Sequence, residues 1–225
     1  MPLLFRNAAL LLVLLGCCPA SAADDCDLPM KVERHDLHQL SDVRWVLVEA
    51  FTDYPAGQNI LRSAGSSTVE MKQNGDNRTF LITEAIRANG TCIFFRFNMS
   101  IPNPDASNHS LHLVSAGVKE VDGEVSPYDD QGRAHMYQSI PGSLVTLYNL
   151  VFQGRPARTL LMYRREGEHQ DIDELKAASS EHRRIAECLK FNVPADFLYD
   201  GKTGRWCFNF CDIAMFLQSF TKHVH

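Results

Sequence analysis

The sequence lacks any second hydrophobic run like the one at its N terminus, where residues 8–15 are apolar throughout. That run is too short to span a bilayer. It follows Arg6 and precedes the small residues 20–22, a pattern typical of a cleaved secretory signal. We therefore predict a signal peptide over residues 1–22 and a secreted, extracellular mature chain with no stable membrane anchor. The alternative is a bacterial lipoprotein box at residues 14–17, which would place a lipid on its cysteine.

Basic clusters and the common catalytic motifs are missing as well. The chain has 22 Lys and Arg against 27 Asp and Glu, so we expect no nucleic-acid partner. It shows no His-Glu-x-x-His motif, no phosphate-binding loop and no pair of cysteines at the two-residue spacing of zinc sites. We expect no cofactor and no metal. His223 and His225 offer metal-binding side chains, but a frayed tail is the simpler interpretation.

Cysteines, in contrast, are present in an informative number. Two of the seven lie within the predicted signal peptide. An odd number of remaining cysteines in an oxidising compartment predicts two disulfides and one further thiol, and spacing alone leaves the pairing open. The five that remain are Cys26, Cys92, Cys188, Cys207 and Cys211.

Four acceptor motifs for N-glycosylation follow the predicted signal peptide. Each has the pattern Asn-x-Ser or Asn-x-Thr, and together they favour a glycosylated secreted protein over chance matches. One of them coincides with a turn, where an asparagine is also favoured for conformational reasons. The acceptors are Asn77, Asn89, Asn98 and Asn108.

Residues 78–99 read as a β-hairpin around which the chain is organised. Apolar and polar residues alternate with period two on both sides of Asn89-Gly90, which is a strong hairpin-turn signal. The apolar face of the first strand carries Glu84. A carboxylate on an enclosed apolar face costs free energy unless a partner pairs with it, so Glu84 points to a binding site. The alternative is a rim position where Glu84 reaches water.

The rest of the chain predicts an all-β protein with one late helix. About eight short strands separated by turn residues suggest an antiparallel barrel able to hold one small ligand. Residues 56–67 are rich in Gly and Ser and read as a loop. Asp171 and Glu174 form a capping box, and helical spacing of apolar residues then continues to about Cys188. His182 falls on the same stripe and reads as a boundary residue.

Three stretches together resemble the lipocalins. Residues 42–45 correspond to the first-strand Gly-x-Trp motif, residues 80–99 to the central hairpin, and residues 186–190 to the end of the fold. The closer resemblance is to the group of alpha-1-acid glycoprotein (orosomucoid) and apolipoprotein M. Residues 161–167 resemble the fish members, which include tributyltin-binding and saxitoxin- and tetrodotoxin-binding proteins. There are two departures: Val43 stands where the motif has glycine, and the second family motif is only faintly visible at residues 146–148.

The resemblance implies an eight-stranded up-and-down antiparallel barrel with a C-terminal helix packed on its wall. It implies a lipocalin domain over residues 23–207, followed by a tail, 208–225, for which we find no counterpart. It also implies the disulfides Cys26–Cys188 and Cys92–Cys207, which leaves Cys211 over.

The resemblance further implies that Trp45 closes the barrel floor, with Arg164 or Arg165 packed over it. A guanidinium over an indole ring contributes about 0.5–2 kcal/mol. The alternative is an ordinary core tryptophan beside two surface arginines.

Strand parity, read within that fold, gives an inward-facing set that we expect to bind ligand. Glu49 belongs to it because it shares the parity of Trp45 and Leu47. A solid barrel would explain the apolar members equally well, but not the carboxylates. The set is Leu47, Glu49, Val69, Met71, Ile82, Glu84, Ile86, Phe95, Phe97, Tyr148 and Tyr163.

We expect a secreted, monomeric glycoprotein, not an enzyme, that transports or sequesters small lipophilic molecules, including xenobiotics or toxins, with cationic ones bound best. One alternative is an immune-modulating or protein-binding plasma glycoprotein. The other is a lipocalin-type isomerase that uses Cys92, which a disulfide to Cys207 would exclude.

Overall fold

We describe a computed structural model of the chain over residues 27–103, 110–114, 117–128, 131–138, 140, 142–152, 154–201 and 207. The predicted signal peptide, Cys26, Asn108, Cys211 and the predicted tail lie outside these residues. Within them, no helix is both long and apolar enough to cross a membrane.

Strands dominate the secondary structure, and two α-helices and two short 3₁₀ helices accompany them. The 3₁₀ helices cover Leu37–Leu40 and Glu168–Gln170. The α-helices are α1 (Pro55–Ser63) and α2 (Ile172–Cys188). The strands are β1 (Met30–Lys31), β2 (Arg44–Thr52), β3 (Ala64–Gln73), β4 (Thr79–Ala88), β5 (Thr91–Ser100), β6 (Leu111–Leu113), β7 (Gly117–Val121), β8 (Glu124–Tyr128), β9 (Gln131–Gln138), β10 (Ser143–Phe152), β11 (Arg155–Arg165) and β12 (Phe197–Leu198).

The strands form one closed antiparallel barrel. Neighbours along the chain pair from β2 to β5, from β7 to β8 and from β9 to β11. Strand β7 pairs with β5, β11 pairs back onto β2, and β6 bridges β5 and β9. When β6 is counted with β7, and β8 with β9, the barrel has the predicted 8 strands with a helix after them. The fold class predicted from the sequence is confirmed.

The central hairpin forms with the predicted turn. β4 and β5 pair from Ala88–Thr91 at the turn down to Thr79–Ser100 without a register shift. Asn89 and Gly90 have φ angles of 51° and 86°, the left-handed values that this turn requires. The hairpin thus places Glu84 level with Phe95 on its partner strand.

Trp45 is buried in the core against the N-terminal segment, and its predicted role in closing the barrel floor stays a prediction. The Trp45 indole is 1% exposed, and its Nε1 donates a hydrogen bond to the Leu40 carbonyl at 3.3 Å. The Arg165 guanidinium lies over the indole ring at 5.9 Å from the centroid. Arg164 points the other way and pairs with Glu174 of α2 at 2.5 Å. Of the two arginines named from the sequence, the structure places Arg165 over the tryptophan.

Helix α2 packs on the outer wall, as predicted. Its N-cap is Asp171, whose carboxylate accepts hydrogen bonds from the backbone N–H groups of Asp173 and Glu174. On its buried face, His182 meets Glu49 of β2. The helix ends at Cys188, and this residue is disulfide-bonded. Because Cys26 lies outside the described residues, the Cys26–Cys188 pairing stays a prediction.

A second covalent link ties the chain after the helix to the barrel. Cys92 at the start of β5 is bonded to Cys207, which confirms the predicted pair. Cys92 lies on the outer face of β5, since the alternate residues Phe95 and Phe97 line the interior.

The predicted loop over residues 56–67 is wrong. Its first part is helix α1, which carries a proline in its first turn, and its second part belongs to β3. Gly57 packs closely instead, since a Cβ there would lie 2.5 Å from the Tyr54 ring, and Ser66 and Ser67 are buried in β3. Small residues here serve close packing, which composition alone does not distinguish from flexibility.

Candidate ligand-binding cavity

A cavity of about 510 Å³ occupies the upper part of the barrel, beneath α1. Its size lies in the range of small-molecule sites. Five strands and α1 supply most of its wall, so residues far apart in the sequence converge on one enclosed space. The lining residues are Tyr54, Ala56, Gly57, Ile60, Leu61, Glu84, Ile86, Phe95, Phe97, Met99, Leu113, Lys119, Ser126, Pro127, Tyr128, Gly132, Tyr148, Leu150, Thr159 and Leu161.

Glu84 is the one carboxylate on this wall among the described residues. It pairs across the sheet with Val69 and Phe95, so its immediate neighbours on the inner face are apolar. Burial raises the pKa of Glu84 from 4.5 to about 7, and the nearby Ser67 hydroxyl lowers it in part. No described Lys, Arg or His forms an ion pair with it. The site therefore holds an acid whose charge is uncompensated near neutral pH.

Two tyrosines lie close enough to Glu84 to sense its charge. Burial, and then the neighbouring Glu84, raise the pKa of Tyr148. The same two causes raise the pKa of Tyr163, and Tyr148 adds to them. Both hydroxyls therefore stay protonated over the physiological range. Tyr148 lines the cavity, where it offers a ligand both a donor and an acceptor.

Aromatic rings make up one side of the cavity. Tyr128 packs edge-on against Phe95, with ring centroids 5.1 Å apart, and tilted against Phe97 at 5.7 Å. Rings arranged in this way present a rigid apolar surface with little side-chain entropy to lose. This wall suits the apolar part of a ligand.

Helix α1 forms one side of the cavity and is linked to β2 through Asp196. Arg62 Nη2 lies 2.9 Å from Asp196 Oδ1. The other Asp196 oxygen accepts a hydrogen bond from the Thr52 backbone N–H at 3.1 Å. Tyr54, Ile60 and Leu61 face the cavity from this side.

Five of the eleven predicted ligand-binding residues line this cavity: Glu84, Ile86, Phe95, Phe97 and Tyr148. Another five are buried in the hydrophobic core and are not part of the cavity wall: Leu47, Val69, Met71, Ile82 and Tyr163. These five side chains point inward because they fill the packed core of the barrel, and they do not line the space for a ligand.

Glu49 is the exception, and the inward direction predicted for it is wrong. The ladder between β2 and β11 shifts register at this point: Tyr163 pairs with Leu47, whereas Met162 pairs with Glu49. The extra residue, Val48, is a β-bulge, and a bulge reverses the parity of every residue beyond it. Glu49 consequently points outward, where its Oε2 lies 2.8 Å from His182 Nδ1.

Several lining residues were missed by the sequence analysis, and Lys119 is the most consequential. It lies on β7 directly across from Phe95, so it shares the inner face with that ring. The short β7 has no clean alternation of its own, and only the cross-strand register shows its direction. Thr159 and Leu161 share the parity of Tyr163 on β11, so the alternation that placed Tyr163 on the inner face also predicts their direction. The lining residues of α1 were missed because the composition of that segment suggested a loop.

Metal ligation finds no support in the described part of the chain. No group of three or more His, Cys, Asp or Glu side chains converges there. The polar groups of the cavity are one carboxyl, one amine and hydroxyls, which suit an organic ligand better than a metal ion.

Two solved structures share this architecture. The siderocalin Ex-FABP superposes with a TM-score of 0.53 over 74% of this chain and 97% of that chain, at 9% sequence identity. A dog lipocalin allergen superposes with a TM-score of 0.52 over 76% of this chain and 99% of that chain, at 13% identity. At such identities the likeness defines the fold alone, and the chain has the lipocalin fold.

No family model matches the chain. At the sequence level it is similar to saxitoxin and tetrodotoxin-binding proteins 1 and 2 of Takifugu pardalis. Each is 32% identical over 193 residues, which cover 85% of this chain and 47% of the relative. The chain thus spans about half the length of the curated relatives it matches. The narrower assignment to the alpha-1-acid glycoprotein and apolipoprotein M group stays a prediction.

Proposed function

We propose that the protein binds small lipophilic molecules in the barrel cavity and favours those that carry a positive charge. The observation that carries this proposal is the unpaired Glu84 carboxyl on the wall of an otherwise largely apolar cavity of about 510 Å³. An amine or guanidinium group placed beside it supplies the ion-pair partner that Glu84 lacks among the described residues. Such charge-assisted hydrogen bonds are about twice as strong as neutral ones.

The names of the Takifugu relatives support the same ligand class. They are described as binding saxitoxin and tetrodotoxin, which are guanidinium compounds. We extend this to the present chain as a proposal: a secreted, N-glycosylated carrier that transports or sequesters cationic xenobiotics or toxins. The exposed acceptors Asn77 and Asn89 at turns are compatible with the glycans.

In this structure, Cys92 does not offer the free thiol that the isomerase alternative requires as its nucleophile. Cys92 is held in the disulfide with Cys207 and is not among the residues that line the cavity. A thiolate is the reactive form of cysteine, and a disulfide sulfur cannot supply it. The structure offers no observation that favours the immune-modulating alternative.

Ligand displacement tests the proposal. A neutral fluorescent lipophile, N-phenyl-1-naphthylamine, serves as the reporter, and 1-octylamine and 1-octanol serve as matched cationic and neutral competitors. At about pH 8, where Glu84 is ionised, we expect Glu84→Gln to weaken octylamine binding by about tenfold or more and octanol binding little.

Glu49→Gln is the matched control. It removes a carboxylate of the same type from the outside of the barrel, so octylamine binding should stay unchanged in that variant. Saxitoxin and tetrodotoxin are then tested in the same assay. The proposal fails if the wild-type protein does not bind the reporter, or if Glu84→Gln affects octylamine and octanol equally.

A further inference from the structure

Lys119 places a second, opposite charge on the cavity wall. Lys119 pairs with Phe95 across β7 and β5, and Phe95 pairs with Glu84 across β5 and β4. The three residues therefore form one row across the inner face, with the ring in the middle. Two strand spacings put the Cα atoms of Glu84 and Lys119 roughly 9–10 Å apart.

Neither charged group satisfies the other. No ion pair joins them, and Lys119 has no carboxylate partner among the described residues. The one side-chain interaction described for Lys119 is with Phe95, whose ring centroid lies 5.9 Å from Nζ. That contact directs the ammonium over the ring that separates it from Glu84.

An unpaired ammonium on this wall affects which ligands can bind. The low-dielectric surroundings of a cavity strengthen both attraction and repulsion relative to water. A ligand with positive charge alone gains at Glu84 but is repelled when its charge approaches Lys119. A ligand that also carries a carboxylate, sulfate or another strong acceptor at its far end gains at both positions.

We propose that Glu84 and Lys119 form a two-point site for amphoteric ligands, with the positive group bound at Glu84, the negative or strongly accepting group at Lys119, and the apolar centre beside Phe95. This inference rests on the proposed function and narrows its ligand class. It makes Lys119 a specificity-determining residue, because the residue selects among lipophilic amines according to what they carry at the other end.

Three ligands with eight-carbon chains separate the two contacts. Octylamine has only the positive end, octanoate only the negative end, and 8-aminooctanoate has both. Each is tested for displacement of N-phenyl-1-naphthylamine from the full-length protein at about pH 8, above the pKa of Glu84. We expect the wild-type protein to bind 8-aminooctanoate about tenfold more tightly than either single-ended compound, as is typical for a close charge pair.

Two variants of the cavity-wall residues show which end of the ligand each residue binds. Lys119→Met keeps the apolar stem and removes the charge, so it should weaken 8-aminooctanoate and octanoate by about tenfold while octylamine binds equally well or better. Glu84→Gln should weaken 8-aminooctanoate and octylamine but not octanoate. Lys176→Met is the control, since Lys176 is an exposed residue of α2, and all three affinities should stay unchanged.

The outcomes separate this inference from the function on which it rests. If the reporter and octylamine bind as proposed, but Lys119→Met leaves octanoate and 8-aminooctanoate unaffected, the two-point site is wrong and the simple cationic preference stands. If the reporter does not bind to the wild-type protein, the ligand-binding function and this site fail together.

Discussion

Glu49 and His182 meet in a buried site between β2 and α2, with Oε2 and Nδ1 2.8 Å apart and both side chains 8% exposed. They are separated by 133 positions in the chain. Strand parity predicts that the Glu49 carboxylate contacts a ligand, but in the structure it links α2 to the outside of the barrel. Since a carboxylate only accepts hydrogen bonds, His182 donates from Nδ1 when Glu49 is ionised.

Removing one partner of this pair should destabilise the fold. We expect Glu49→Ala to lower the free energy of unfolding by about 3–5 kcal/mol, because a buried polar partner is left behind. Denaturant unfolding measures the change. The double variant with His182→Ala should cost less than the sum of the two single variants, and an additive double-mutant cycle would show that the contact contributes nothing.

Stability should also depend on pH through Glu84. Its pKa rises from 4.5 in the unfolded chain to about 7 in the fold, so the folded state prefers the protonated acid. The associated stability is fully present below about pH 4.5 and is lost as the pH rises through about 7. We expect Glu84→Gln to match the wild type at about pH 4 and to exceed it by up to about 3 kcal/mol at pH 8.

Denaturant unfolding of the wild type and of Glu84→Gln between about pH 4 and pH 8 checks this prediction. Glu49→Gln is unfolded in parallel as a control that removes a carboxylate outside the cavity. A gain of Glu84→Gln over the wild type that is the same at both ends of the range would mean that the pKa of Glu84 is the same in the folded and the unfolded chain, as expected for a carboxyl that reaches water. That result would also weaken the case for a cationic ligand.

The disulfide between Cys92 and Cys207 should contribute substantially to stability, because it joins residues 115 positions apart. Replacing both with serine is expected to lower the free energy of unfolding by about 2–5 kcal/mol, chiefly by releasing the unfolded chain. Cys211→Ser serves as the control, since Cys211 is predicted to have no partner within the chain. Peptide mapping without reductant that finds Cys92 as a free thiol would contradict the bond itself.

Glycosylation should be uneven across the four acceptors. Asn77 and Asn89 are exposed at turns, whereas Asn98 is half-buried and its Oδ1 accepts a hydrogen bond from Asn74 at 3.1 Å. We expect protein from a eukaryotic secretory host to run above its 25.3 kDa chain mass and to shift down after N-glycan removal. Glycopeptide analysis should find Asn77 and Asn89 occupied more fully than Asn98; an unshifted band would refute glycosylation altogether.

Much of the fold could be predicted from the sequence, because its signals are local. The Asn89-Gly90 turn, the alternation around Glu84 and the Asp171 cap each depend on residues close together in the chain, and all three are present. The direction of Glu84 into a cavity follows from the same alternation.

The predictions from the sequence fail where the direction of a side chain depends on residues that are distant in the chain. Glu49 was assigned by counting along β2, and the register shift that reverses it is visible only in the pairing with β11. Lys119 on the short strand β7 acquires its direction from Phe95 on β5. Helix α1 was concealed because its glycine serves contact with Tyr54 and not flexibility.

The bulge at Val48 also decides how much the barrel can hold. Without it, the large side chains of Glu49 and Phe51 would occupy the inner face, opposite cavity residues Leu161 and Thr159. With it, the small residues Ala50 and Thr52 take those positions and pair with them instead. The one inserted residue thus places small side chains where large ones would otherwise lie. The volume available to a ligand therefore depends on strand register as much as on side-chain identity.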